Sequence, residues 1–131
     1  MKLIKRDTDY AIRALCHIAS APERSHTAKE LEKALDLPLP FLRKLLQKLG
    51  KKGLLRSIKG RSGGFKLTAP AERISVLQVI EIFQGKLKLT QCFFRKKVCP
   101  RQKICKLKKR MDSIEKTVLL SIERIKISDI V

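Results

Sequence analysis

Three of the chain's four cysteines, Cys92, Cys99 and Cys105, fall in the stretch "CFFRKKVCPRQKIC". Thiols at this density can form disulfides, bind a metal or cluster, or react with oxidants. Their spacing is C-x6-C-x5-C, whereas zinc knuckles favour cysteine pairs about two to four residues apart. A cluster of several irons is wider and tolerates longer loops between ligands. Each ligand sulfur must be a thiolate. Arg95, Lys96, Lys97, Arg101, Lys103 and Lys106 favour that form and offset the negative charge of a thiolate-bound cluster. Spacing alone leaves an iron–sulfur cluster, a thiol redox sensor and a labile metal site open. Cys16 stands apart beside Leu15 and reads as a small buried hydrophobe. His17 and His26 read as isolated surface or cap residues. The chain has no Ser/His/Asp set and no paired carboxylates, and "GRSGGF" lacks the G-K-[ST] ending of a phosphate-binding loop. An enzyme is not expected.

The chain has 131 residues, 44% of them apolar, which suits one compact domain with an appended element. Its formal charge of +19 points to nucleic acid, because lysine and arginine gain affinity from phosphates by displacing counterions. A membrane surface fits less well, since aromatic anchors are scarce at 5% of residues. No apolar run nears the roughly 20 residues of a spanning helix. The start, "MKLIKRDTDY", lacks the apolar core of a secretory signal. A cytoplasmic protein is expected, and thiols there stay reduced, which argues against a disulfide framework.

The elements that position these residues follow from periodicity. Ala11, Leu15, Ile18 and Ala19 place a helix over roughly residues 8 to 20. Thr27 and Glu30 form a capping-box pattern ahead of a short second helix, whose stripe is Ala28, Leu31, Ala34 and Leu35 and which stops near Asp36. A third helix starts near Pro40. It buries Phe41, Leu42, Leu45, Leu46 and Leu49, and turns Pro40, Arg43, Lys44, Gln47, Lys48 and Lys51 outward. Two short helices, the second with a basic face, match a helix-turn-helix, though ordinary helical hairpins look similar.

"LLRSIKGRSGGFKLT" then reads as two strands around a glycine-rich turn carrying Lys59 and Arg61. A basic hairpin directly after a basic helix is the wing of a winged helix. Its tip can enter a narrow minor groove, where negative potential is enhanced. A fourth helix, over "ISVLQVIEIFQG", is expected to bury Ile74, Leu77, Ile80 and Phe83 and to stop at Gly85. After the cysteines, Ile104, Leu107, Met111, Ile114, Val118 and Ile125 trace a heptad-like seam. The implied helix has about 24 residues and is roughly 36 Å long, too long to pack entirely on a small domain. The seam is expected to pair with a second copy, although a helix covering its own domain is the alternative. A two-fold dimer suits a palindromic operator in double-stranded DNA.

The chain resembles the Rrf2 family of bacterial winged-helix transcription regulators over essentially its whole length. The resemblance rests on "TDYAIRAL", "LPFLRKLLQKLGKKGLL", "IKGRSGGFKL", the three cysteines and "ERIKISDIV". It implies a dimeric DNA-binding protein, commonly with a two-iron or four-iron cluster in the cysteine loop. Two departures stand out. The first cysteine gap has six residues where five is more familiar, and Lys108 stands where one branch places a histidine ligand. "TDYAIRAL" is closest to the nitric-oxide branch, in which an aspartate of the "TDY" motif is the fourth ligand. That position is Asp9, which could otherwise simply cap the first helix. Arg43 stands where another branch often has an acidic residue, so a different DNA site is implied.

The expected fold is mainly α with a small β-hairpin wing: a winged helix-turn-helix over 1–85, a cysteine loop over 86–103, and a dimerisation helix with its tail over 104–131. The expected function is a DNA-binding regulator, a repressor, controlled by an iron–sulfur cluster that senses redox, iron or nitric oxide. A cluster-free thiol switch, or control by a protein partner, is the alternative.

Overall fold

The computed structural model describes residues 2–89, 93–94, 97–98, 100–101 and 103–131. Helix α1 (Arg6–Ser20) begins two residues before the expected start because its first turn is tied to a distant side chain. Gln84 Oε1 accepts the Lys5 N–H at 2.8 Å and the Thr8 hydroxyl at 2.7 Å. Lys5 is therefore the N-cap, and the capping reading of Asp9 is overturned. Along α1, Ala11, Ala14, Leu15 and Ile18 are fully buried, and the two alanines contribute bulk small enough for close helix packing.

Helix α2 (Ala28–Leu35) starts where Thr27 Oγ1 accepts the Glu30 N–H at 3.1 Å. Only Leu31 of its expected stripe is fully buried, and Ala34 is exposed. The helix is too short to bury a wider face. It ends on Asp36 in the left-handed conformation (φ 52°), which turns the chain sharply into buried Leu37 and the next helix.

Helix α3 (Leu39–Lys51) carries Pro40 in its first turn and buries Leu42, Leu45, Leu46 and Leu49, as its spacing predicts. Each buried leucine contributes about 1.5–3 kcal/mol. The helix closes in a Schellman motif: the Leu54 N–H reaches the Leu49 carbonyl at 3.0 Å and the Gly53 N–H the Gly50 carbonyl at 3.1 Å. Gly53 takes φ 81° there, which a side chain would resist.

That turn aims the chain into an antiparallel hairpin, β1 (Leu55–Ile58) with β2 (Gly64–Leu67), in the register Leu55↔Leu67 and Ser57↔Phe65. The wing has a third, single-residue rung. His26 pairs with Phe65 through two backbone bonds, 3.0 and 2.8 Å. Gly64 (φ 144°) permits this approach, since a Cβ there would collide with the His26 carbonyl.

Helix α4 (Val76–Gln84) opens with a full capping box between Ser75 and Gln78. Its fully inward residues are Val76, Val79 and Ile80; Leu77 and Phe83, expected in the core, are only half-buried. A second small hairpin pairs β3 (Phe93–Phe94) with β4 (Lys97–Val98). Helix α5 (Lys106–Glu123) has 18 residues, shorter than the seam implies. Ile104 precedes it and Ile125 follows it, because the chain leaves the helix to pair with the start of α4. The Val76 N–H reaches the Ile125 carbonyl at 2.9 Å, and the Ile127 N–H the Ile74 carbonyl at 2.8 Å. Ile122 and Ile127 thereby join the core formed by α1 to α4.

Candidate functional site

The basic side chains of α3 and of the wing tip form the first candidate surface. Pro40, Arg43, Lys44, Gln47, Lys48 and Lys51 are all exposed on α3, opposite its leucine face. Lys44, Gln47, Lys48, Lys51 and Lys52 line a shallow depression. The Lys48 ammonium lies 5.1 Å from the Phe83 ring centre, which steadies it against α4. The start of α3 is set against α1 by an edge-to-face contact of Phe41 with Tyr10, centres 5.9 Å apart. Lys59 and Arg61 stand exposed at the wing tip. Among the described residues, none of Arg43, Lys44, Lys59 and Arg61 has an ion-pair partner. These cations face solvent uncompensated, as a phosphate-binding surface requires.

The wing is braced at its turn and along β2. The Ser25 hydroxyl donates to the Ser62 carbonyl, and Lys66 Nζ to the Glu23 carbonyl at 2.9 Å. Gly63 lies so close that a Cβ would sit 2.5 Å from the Ile58 carbonyl oxygen.

Of the cysteine site, Cys92 and Cys99 lie outside the described residues. Cys105 is the N-cap of α5 and half-buried, and its Sγ accepts the Lys108 N–H at 3.4 Å. The Lys108 side chain pairs with Asp112. Asp9 sits in the first turn of α1, half-buried, with Oδ2 2.9 Å from Arg13 Nε. Cys16 is half-buried on α1, and burial pushes its thiol up, partly offset by Arg13. The seam residues divide: Leu107 and Ile114 are exposed, Met111 is half-buried, and half-buried Val118 packs against the core of its own chain.

His17 and His26 are not isolated, contrary to expectation: both meet Glu30. The ligating atoms of the three all lie within 4.8 Å of one another. His26 is fully buried. Glu30 takes two hydrogen bonds from Arg24, at 2.5 and 3.0 Å, and its carboxyl is lowered to about 2, chiefly by Arg24.

A family model described as "Rrf2: Iron-dependent Transcriptional regulator" matches residues 4–131. The chain belongs to the Rrf2 family. Rrf2 proteins are transcription regulators that bind DNA, and the exposed cations of α3 and the wing fit that role. Among its relatives, protein aau3 of Rhizobium meliloti is 32% identical over 82% of this chain and 70% of its own length. The regulator NsrR of Shouchella clausii is 30% identical over 95% of this chain and 85% of its own. The regulator IscR of Cereibacter sphaeroides is 37% identical over 55% of this chain and 48% of its own. In fold, CymR of B. subtilis superposes with a TM-score of 0.75 at 18% identity, over 99% of this chain and 96% of that one. IscR of T. potens gives 0.76 at 22%, over 99% and 85%. Both bear out the winged-helix architecture expected of an Rrf2 protein. Among the described residues, no helix is long and apolar enough to cross a membrane.

Proposed function

We propose that the chain is a dimeric repressor that reads a palindromic operator, with its DNA affinity governed by an iron–sulfur cluster sensing redox, iron or nitric oxide. The observation that carries this reading is that the cations of α3 and of the wing tip are exposed and, among the described residues, Arg43, Lys44, Lys59 and Arg61 have no ion-pair partner. Arg43, Lys44, Gln47 and Lys48 enter the major groove, and Lys59 and Arg61 reach the flanking minor groove. Replacing Lys59 and Arg61 together by Ala should weaken operator binding. It should also make the salt dependence shallower, by about 0.9 in log–log slope for each phosphate no longer neutralised. Titrations at several salt concentrations that match the parent would remove the wing from the interface.

Cys92, Cys99, Cys105 and Asp9 are the proposed cluster ligands. The setting of Cys105 supports this assignment: it is half-buried at the N-cap of α5, and its sulfur already accepts the Lys108 N–H. Oxygen is an acceptable though weaker ligand for iron than sulfur. A bound cluster would supply a centre whose integrity responds to oxygen, iron and nitric oxide. Asp9 would have to exchange Arg13 for iron, at small cost, because an exposed pair at this spacing contributes only about 0.3–0.5 kcal/mol. In anaerobically purified protein, Asp9→Ala should leave the fold and dimer intact but shorten the cluster's lifetime in air. A lifetime and redox spectrum equal to the parent's would return Asp9 to the role of Arg13's partner. Colourless protein with reactive thiols would select a thiol switch.

A further inference from the structure

We infer that His17, His26 and Glu30 bind a divalent first-row metal ion, best matched by Zn²⁺, where α1, the start of α2 and the second strand of the wing meet. Two imidazoles and one carboxylate are a recognised zinc donor set that leaves a fourth position for water. Glu30 Oε1 lies 3.3 Å from His17 Nε2 and 3.3 Å from His26 Nδ1. Two ligand atoms held about 2.0–2.1 Å from one tetrahedral ion are themselves roughly 3.3 Å apart. The carboxylate is already at ligand spacing from both rings.

The surroundings of His26 supply an independent reason. Its Nε2 lies 2.9 Å from the Ala21 carbonyl oxygen and must donate to it. In the neutral ring, Nδ1 then carries a lone pair and faces the Glu30 carboxylate, another acceptor. Two acceptors at that distance repel unless a cation lies between them. A backbone carbonyl fixing the tautomer of a buried imidazole is also what orients metal-binding histidines. Arg24 Nη1 donates to Glu30 Oε2 at 3.0 Å and Nη2 to Oε1 at 2.5 Å, so an ion would take Oε1 from Nη2 while Nη1 keeps the other oxygen. An ion has a way in, because the His17 and Glu30 side chains are each 29% exposed whereas His26 is closed off.

Occupancy would brace the wing. His26 is the rung that pairs with Phe65, and Glu30 lies in the first turn of α2. The ion would tie that rung to α1 through His17.

The test uses full-length protein in which Cys92, Cys99 and Cys105 are Ser, so that those thiols cannot take up metal. Titration with Co²⁺ should give visible d–d bands saturating at about one ion per chain, without thiolate-to-cobalt charge transfer, and Zn²⁺ should displace them. His17→Gln and, separately, Glu30→Gln in that background should weaken Co²⁺ binding by more than about 100-fold. Zn²⁺ should raise the melting temperature of the background protein and not that of His17→Gln. Equal Co²⁺ affinity in the background protein and both variants would overturn the inference. So would the absence of d–d bands, which would mean that only a proton bridges His26 and Glu30.

Discussion

Replacing Ile114 by Glu is expected to leave the protein monomeric and to lower its operator affinity by about 100-fold or more. The reason lies along one face of α5. Leu107 is 68% exposed and Ile114 51%, large aliphatic side chains seven residues apart on that face that their own chain does not cover. Leu107, Met111, Ile114 and Val118 follow steps of four, three and four, the geometry by which two helices interdigitate. In the proposed dimer a glutamate at the centre of that seam would be a buried, unpaired charge in each copy. A monomer would then hold one half-site alone and forgo the roughly 10²–10⁴-fold gain from binding two linked sites. Sedimentation and a DNA titration read the two effects separately. An unchanged dimer would show that the aliphatic row of α5 faces solvent or another partner.

The second large effect is expected from reversing the charge of Arg43 and Lys44 together, each to Glu. Both side chains are exposed on α3, so folding should be altered by no more than about 0.5 kcal/mol, and circular dichroism and melting should match the parent. DNA affinity should fall on the order of 1000-fold. Two cations per subunit leave the interface, at about 1 kcal/mol or more each, before repulsion from the new carboxylates is added. Binding equal to the parent's would exclude α3 as the element in the groove.

The helix-turn-helix was legible because its signals are local. Thr27 caps α2, the leucines of α3 recur at helical spacing, and Gly53 marks the stop within a few residues of the pattern it ends. What stayed hidden depends on partners far along the chain. His26 becomes a strand rung only through Phe65, 39 positions later by residue number, and nothing near His26 announces it. Glu30 completes a capping-box motif in sequence, yet its carboxylate goes to Arg24 and the two histidines, which compete successfully for it. The alternative of Asp9 as a cap failed because Gln84, on α4, moved the start of α1 back to Arg6. The expected α5 was longer than the observed one because Ile125 continues the apolar spacing while its carbonyl serves a backbone pairing with Val76.

That same pairing gives α5 the mechanics of a lever. Its C-terminal end is welded to the winged-helix body through Ile122, Ile125 and Ile127, and its other end begins at Cys105. Eighteen residues span about 27 Å, so a tilt of about 5° at the anchored end sweeps the Cys105 end through roughly 2 Å. Conversely, a displacement of one or two bond lengths at the sulfur would reach α4 as a small rotation, through the helix backbone and the packing of Val118 against the core.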